Sequence, residues 1–126
     1  MTAKRILVID DEQRIQEVIQ TCLEILNGWQ VLTASSGSEG LLKAQTQQPD
    51  AILLDVSMPE MDGLTTFQKL QENPTTESIP VVLLTAKVQP AERDGFAQLG
   101  VAGFIAKPFD PLTLASQIAS VLSWDL

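Results

Sequence analysis

The chain has 126 residues, 44% of them hydrophobic and 19% charged, with a net charge of −8. This is one domain's length with enough apolar mass for a core of its own, which argues against disorder. The acidic balance argues against direct binding to nucleic acid or docking on an anionic membrane, and no apolar run approaches the about 18 residues of a membrane span.

In chain order, the lead Met1-Thr2-Ala3-Lys4-Arg5 runs into a strand and not into a signal-peptide core. The first predicted strand is Arg5–Ile9. The first helix is predicted over Glu12–Leu26, with Ile15, Val18, Ile19, Cys22, Leu23 and Leu26 on one stripe and Asn27-Gly28 as its stop. Strand two is Gln30–Ala34; Ser36 or Ser38 caps a second helix that carries Leu41, Leu42 and Ala44 and ends before Pro49. Strand three is Ala51–Leu54, and the loop Asp55–Asp62 leads to helix three, Gly63–Gln71, with Leu64, Phe67 and Leu70 inward. A polar turn through Asn73-Pro74-Thr75-Thr76 precedes strand four, Val81–Leu84. Helix four is predicted from Pro90 to Gly100, strand five is Gly103–Ala106, and helix five is Pro111–Leu122, with Leu112 and Leu114 among its apolar residues. Strands of continuous apolar residues alternating with helices specify a parallel sheet covered on both faces. The five strand–helix units use the whole chain, so residues 1–126 are expected to be one domain with no output domain.

Polar residues at the ends of these runs carry the chemistry. Asp10 and Asp11 close the first strand, Asp55 closes the third, and Lys107 follows the fifth. In such a sheet the carboxyl ends of all strands share one edge, where ligands bind. Three carboxylates and one ammonium converge there. Carboxylates that close repel one another unless a cation joins them, so the arrangement calls for a divalent metal. Read singly, each residue has a plainer role. Asp10 suits a helix N-cap, Asp55 a turn, Lys107 a surface ion pair, Thr85 an ordinary strand position and Phe104 a core position. Cys22 is expected to be buried filler; as a lone cysteine it forms no internal disulfide, which fits the cytoplasm. The chain has no histidine, so the usual general base and any phosphohistidine relay within it are excluded.

The chain resembles the receiver domains of two-component response regulators, in particular the single-domain type. Five features in order carry the resemblance: Ile9-Asp10-Asp11-Glu12; Leu54-Asp55 followed by Met58-Pro59-Glu60-Met61-Asp62-Gly63; Leu83-Leu84-Thr85-Ala86; Phe104; and Lys107-Pro108-Phe109. The resemblance implies an α/β fold, a (βα)5 doubly wound five-stranded parallel sheet of flavodoxin-like order 2-1-3-4-5. It implies that Asp55 accepts a phosphoryl group from a sensor histidine kinase or phosphotransfer protein. Asp10, Asp11, Asp55 and the Ser57 backbone carbonyl would hold Mg²⁺, or Mn²⁺ in its place. Thr85 and Lys107 would contact the phosphoryl group, Thr85 and Phe104 would form a switch, and the Lys107–Pro108 bond is expected to be cis. The output is expected on the face of helix four, strand five and helix five, toward a protein target, from a monomer or weak homodimer. No turnover substrate is implied. Ser57 and Lys87 lie where the family varies.

Three rivals fit less well. A haloacid-dehalogenase-type phosphatase places a second Asp two residues after its nucleophile, where this chain has Ser57, and carries a cap domain for which there is no room. A flavodoxin's phosphate loop is Ser-, Thr- and Gly-rich, where this chain has Asp10-Asp11-Glu12. A degenerate receiver that acts only as an interaction module conflicts with the intact acidic, Thr and Lys positions.

Overall fold

Each of the five apolar runs becomes a strand of one sheet in the computed structural model, which describes residues 4–56, 63–85 and 98–124. The strands are β1 (Arg5–Ile9), β2 (Gln30–Ala34), β3 (Ala51–Asp55), β4 (Val81–Thr85) and β5 (Gly103–Ala106). All neighbouring pairs are parallel, in the order β2-β1-β3-β4-β5. Helices α1 (Gln13–Thr21), α2 (Gly37–Gln47) and α3 (Gly63–Glu72) follow β1, β2 and β3, and a C-terminal helix spans Leu114–Leu122.

The strand period of two sorts the core into two layers. Ile6, Val8, Leu53, Val82, Leu84 and Ile105 face one side, with Ile19, Leu23, Leu114 and Ile118 packed on them. Leu7, Ile9, Ile52, Leu54, Val81 and Leu83 face the other, under Ala44, Phe67 and Leu70. Burial on both faces explains why these strands read as unbroken apolar runs.

Four expectations are corrected. The first helix is not α-helical to Leu26: from Cys22 to Leu26 it winds as a π-helix. The added residue per turn rotates the end of the stripe outward, leaving Leu26 exposed, and Val18 is exposed as well. The face that α1 buries carries Gln16 and Ile19. Cys22 is half-buried. The C-terminal helix starts at Leu114 after a turn over residues 111–113, so Leu112 stands 77% exposed. Other stops and starts match the residue chemistry. Gly28 takes φ +67 after the π turn, Ser36 caps α2 by accepting the Glu39 backbone N–H at 3.1 Å, and α2 ends at Gln48, which adopts φ 47. Most of predicted helix four, including Pro90, lies outside the described residues.

Candidate functional site

Strand order and register bring the singled-out residues to one edge. Between β1 and β3 the connections turn to opposite sides of the sheet, and such a switch point opens a crevice at the carboxyl ends of the strands. Ile9 pairs with Leu54, so Asp10 and Asp55, each next in the chain, stand side by side. Thr85 pairs with Ala106, and the Lys107 backbone N–H donates to the Thr85 carbonyl at 2.9 Å, which places Lys107 directly above β4. The Lys107–Pro108 peptide bond is cis.

The resulting group is dense and partly buried. Carboxylate oxygens of Asp10, Asp11 and Asp55 lie within 4.8 Å of one another. Asp10 is 0% exposed and Asp55 2%, while Asp11 faces solvent. Lys107 Nζ donates to Asp55 Oδ1 at 2.7 Å and lies 3.8 Å from Asp10 Oδ2. Asp10 Oδ1 accepts the Glu12 backbone N–H at 2.9 Å, whereas Asp10 Oδ2 is buried with no hydrogen-bond partner. Burial pushes the Asp10 carboxyl up to about 6, helped by the charges of Asp55 and Asp11 and opposed by the Glu12 N–H and Lys107. A buried carboxylate oxygen without a donor, beside two further carboxylates, is a ready ligand for a hard divalent cation. Among the described residues one ammonium faces three carboxylates, and Mg²⁺, which keeps several waters, needs only two or three protein oxygens. The residues present therefore fit a magnesium ion.

Neighbouring elements hold this geometry. Thr85 is buried at the end of β4, and Phe104 is half-buried on the same sheet face, paired with Leu83. The amino end of α3 sits against β3: the Gly63 N–H donates to the Val56 carbonyl at 2.9 Å, and a Cβ on Gly63 would lie 2.5 Å from the Asp55 carbonyl oxygen. Only glycine permits this approach. Beside Lys107 an open groove of about 430 Å³ is lined mainly by Ile15, Val18, Pro108, Phe109 and Pro111. Ser57 and Lys87 lie outside the described residues.

One residue at the site was not expected. Gln16 is 7% exposed, and its amide Nε2 reaches the Asp10 carbonyl at 2.6 Å, the Ser35 hydroxyl at 3.1 Å and the Ala34 carbonyl at 3.2 Å. Its only sequence signal is its place three residues before Ile19 and seven before Leu23, on the face that α1 buries.

Comparison with known proteins gives the family and the fold. Residues 6–119 match the family model described as the response regulator receiver domain. The chain is 37% identical over 119 residues to the alkaline phosphatase synthesis transcriptional regulatory protein PhoP of Bacillus subtilis, covering 94% of this chain and 48% of that protein. It is 38% identical over 122 residues to the response regulator PleD of Caulobacter vibrioides, covering 97% of this chain and 27% of that one. The chain thus spans about half or less of the length of such curated relatives. Among solved structures, the chemotaxis response regulator CheY4 of Vibrio cholerae superposes with a TM-score of 0.88 at 31% identity, covering 95% of this chain and 99% of that one. The N-terminal domain of a response regulator receiver protein from Methanoculleus marisnigri gives 0.78 at 36% identity, covering 98% and 100%.

Proposed function

The chain belongs to the family of response regulator receiver domains, and from that premise we propose that it is a phospho-accepting switch whose acceptor is Asp55. Members of this family serve two-component systems as signalling proteins. They bind Mg²⁺ at an acidic pocket, receive signals from histidine kinases or phosphotransfer proteins, and act on downstream targets. The observation that carries the assignment is the Lys107 ammonium 2.7 Å from Asp55, beside a buried Asp10 Oδ2 that accepts no hydrogen bond.

Asp55 attacks the phosphorus of a phosphohistidine on the donor protein. One P–O bond forms on Asp55 as the P–N bond breaks, and the electron pair leaves with the imidazole nitrogen. A carboxylate nucleophile needs no base for this step, in keeping with a chain that has no histidine. The Lys107 ammonium shifts its ion pair from the carboxylate to a phosphoryl oxygen, and the Thr85 hydroxyl donates to another. Asp10, Asp11, Asp55 and the Ser57 backbone carbonyl would hold Mg²⁺, or Mn²⁺ in its place, and the bound cation would further neutralise phosphoryl charge. The groove beside Lys107 gives the donor protein a surface next to the acceptor. Apart from transfer to and from Asp55, the chain has no turnover substrate.

The added charge is then read at the neighbouring strand. Thr85 moves toward the phosphoryl group, and Phe104, on the same face of the sheet, turns inward. This changes the surface of predicted helix four, β5 and the C-terminal helix, where a downstream protein binds. An unchanged Phe104 environment by NMR after a phosphoryl mimic is placed on Asp55 would refute this coupling.

Intact mass after incubation with Mg²⁺ and acetyl phosphate tests the acceptor. Wild type is expected to gain one base-labile phosphoryl adduct that is lost in Asp55→Asn and on chelation of the metal. An adduct that persists in Asp55→Asn would overturn the assignment.

A further inference from the structure

We propose that Gln16 is a positioning residue for the acidic pocket, locking the Asp10–Asp11 peptide so that both carboxylates hold the cation. The inference rests on the reading of that pocket as a magnesium site. Asp10 is the last residue before the β1–α1 turn, and its main chain is held on both sides. Its N–H donates to the Ala34 carbonyl at 3.0 Å, and its carbonyl accepts the Gln16 amide at 2.6 Å. The carbonyl of Asp10 and the N–H of Asp11 belong to one peptide plane, so the Gln16 bond fixes where both side chains leave the backbone. The Glu12 N–H occupies Asp10 Oδ1, which leaves Oδ2, 3.8 Å from Lys107 Nζ, without a hydrogen bond.

The same amide also reaches Ala34 and Ser35, at the carboxyl end of β2, and the Ser35 N–H donates to Glu39 Oε1 at 2.7 Å in α2. Gln16 thus links three elements around the turn that carries the metal-facing aspartates. A glutamine is costly to bury, and an apolar residue would fill the same place between α1 and β1 without that cost. What an apolar residue lacks is the two donors. Groups that hold ligating residues in place typically change metal affinity by about 10–100-fold when removed.

The experiment measures Mg²⁺ affinity by calorimetry, and thermal stability alongside it, for wild type, Gln16→Met, Ser35→Ala and Thr76→Val. Gln16→Met keeps the side chain's length and removes both donors. Thr76 is a buried hydroxyl that donates to the Leu70 carbonyl at 2.7 Å, in the α3–β4 connection at the opposite edge of the sheet. Thr76→Val therefore gives a matched loss of stability remote from the pocket. Gln16→Met is expected to weaken Mg²⁺ binding by about tenfold and Ser35→Ala by a few-fold, while Thr76→Val leaves it at the wild-type value. Lower stability in Gln16→Met with unchanged Mg²⁺ affinity would show a purely structural glutamine and overturn the proposal. Should Gln16→Met not fold, Ser35→Ala decides, and wild-type affinity in that variant overturns it. A wild-type chain that binds no Mg²⁺ would instead refute the metal site, and the role of Gln16 would fall with it.

Discussion

The two edges of the sheet are finished in opposite ways. At the amino edge the polar groups are matched. The Arg5 N–H donates to Asp50 Oδ2 at 2.8 Å, and its guanidinium reaches Gln30 Oε1 at 3.1 Å and the Gln47 carbonyl at 2.8 Å. Trp29 and Trp124 meet edge to face with centroids 5.7 Å apart, and Lys4 Nζ lies 4.5 Å from the centre of the Trp124 ring. At the carboxyl edge, buried carboxylates crowd around one lysine, and Asp10 Oδ2 has no donor. One edge matches its polar groups, and the other keeps buried charge in a destabilising arrangement.

Lys107→Met should give the largest effect and break the carboxyl edge chemically. Removing the Lys107 ammonium beside Asp55 is expected to slow phosphorylation by acetyl phosphate by about 10²–10³-fold, followed as adduct mass against time. A rate within a few-fold of wild type would show that the 2.7 Å contact has no part in the transfer.

Asp10→Asn tests the energetics with the opposite sign. A carboxyl raised from 3.8 to about 6 on folding makes the native state bind a proton more tightly than the unfolded state does. Stability is therefore greatest below about pH 4 for this group and falls as pH rises toward about 6. At about 1.4 kcal/mol per pH unit, the lost stability at pH 7 is roughly 3 kcal/mol. Without divalent metal, Asp10→Asn should recover roughly 2–3 kcal/mol at pH 7 by urea denaturation, flatten the decline between pH 4 and 6, and bind Mg²⁺ poorly. Equal stability of the two proteins at pH 7 would mean that the carboxylate is not strained there.

Trp124→Ala addresses the amino edge. It should cost about 2 kcal/mol of stability through lost aromatic burial and edge-to-face contact. Mg²⁺ affinity and phosphorylation should stay at wild-type values. The smallest effect is optical. Both tryptophans of the chain sit at this edge, so intrinsic fluorescence should scarcely change when Mg²⁺ binds. A large quench on metal addition would show that the two edges are coupled.

The strands were legible almost to the residue, because burial on both faces leaves apolar runs that the charges of Asp10, Asp55 and Lys107 terminate. Those same terminators marked the pocket. Helix ends were less legible. A π turn differs from an α turn by one residue, and the apolar pattern Cys22-Leu23-Glu24-Ile25-Leu26 is compatible with either. Pro111 and Leu112 suit a first helical turn but form a separate turn ahead of Leu114. Gln16 was missed because the partners that justify a buried amide, the Ala34 carbonyl and the Ser35 hydroxyl, are eighteen and nineteen residues away. Gly63 read as a helix start; its close approach to the Asp55 backbone exists only once β3 and α3 are packed.

The contact of Lys4 with Trp124 has a practical consequence for engineering. The two ends of the described chain meet at the edge remote from the acidic pocket. A few linking residues could join them, and new termini could be opened in the exposed, polar turn near Asn73–Thr75 without crossing β1, β3 or the turn that carries Asp10 and Asp11. A circularly permuted chain of this kind would keep the acidic pocket intact, and a sensor module could be inserted at the new junction between Lys4 and Trp124.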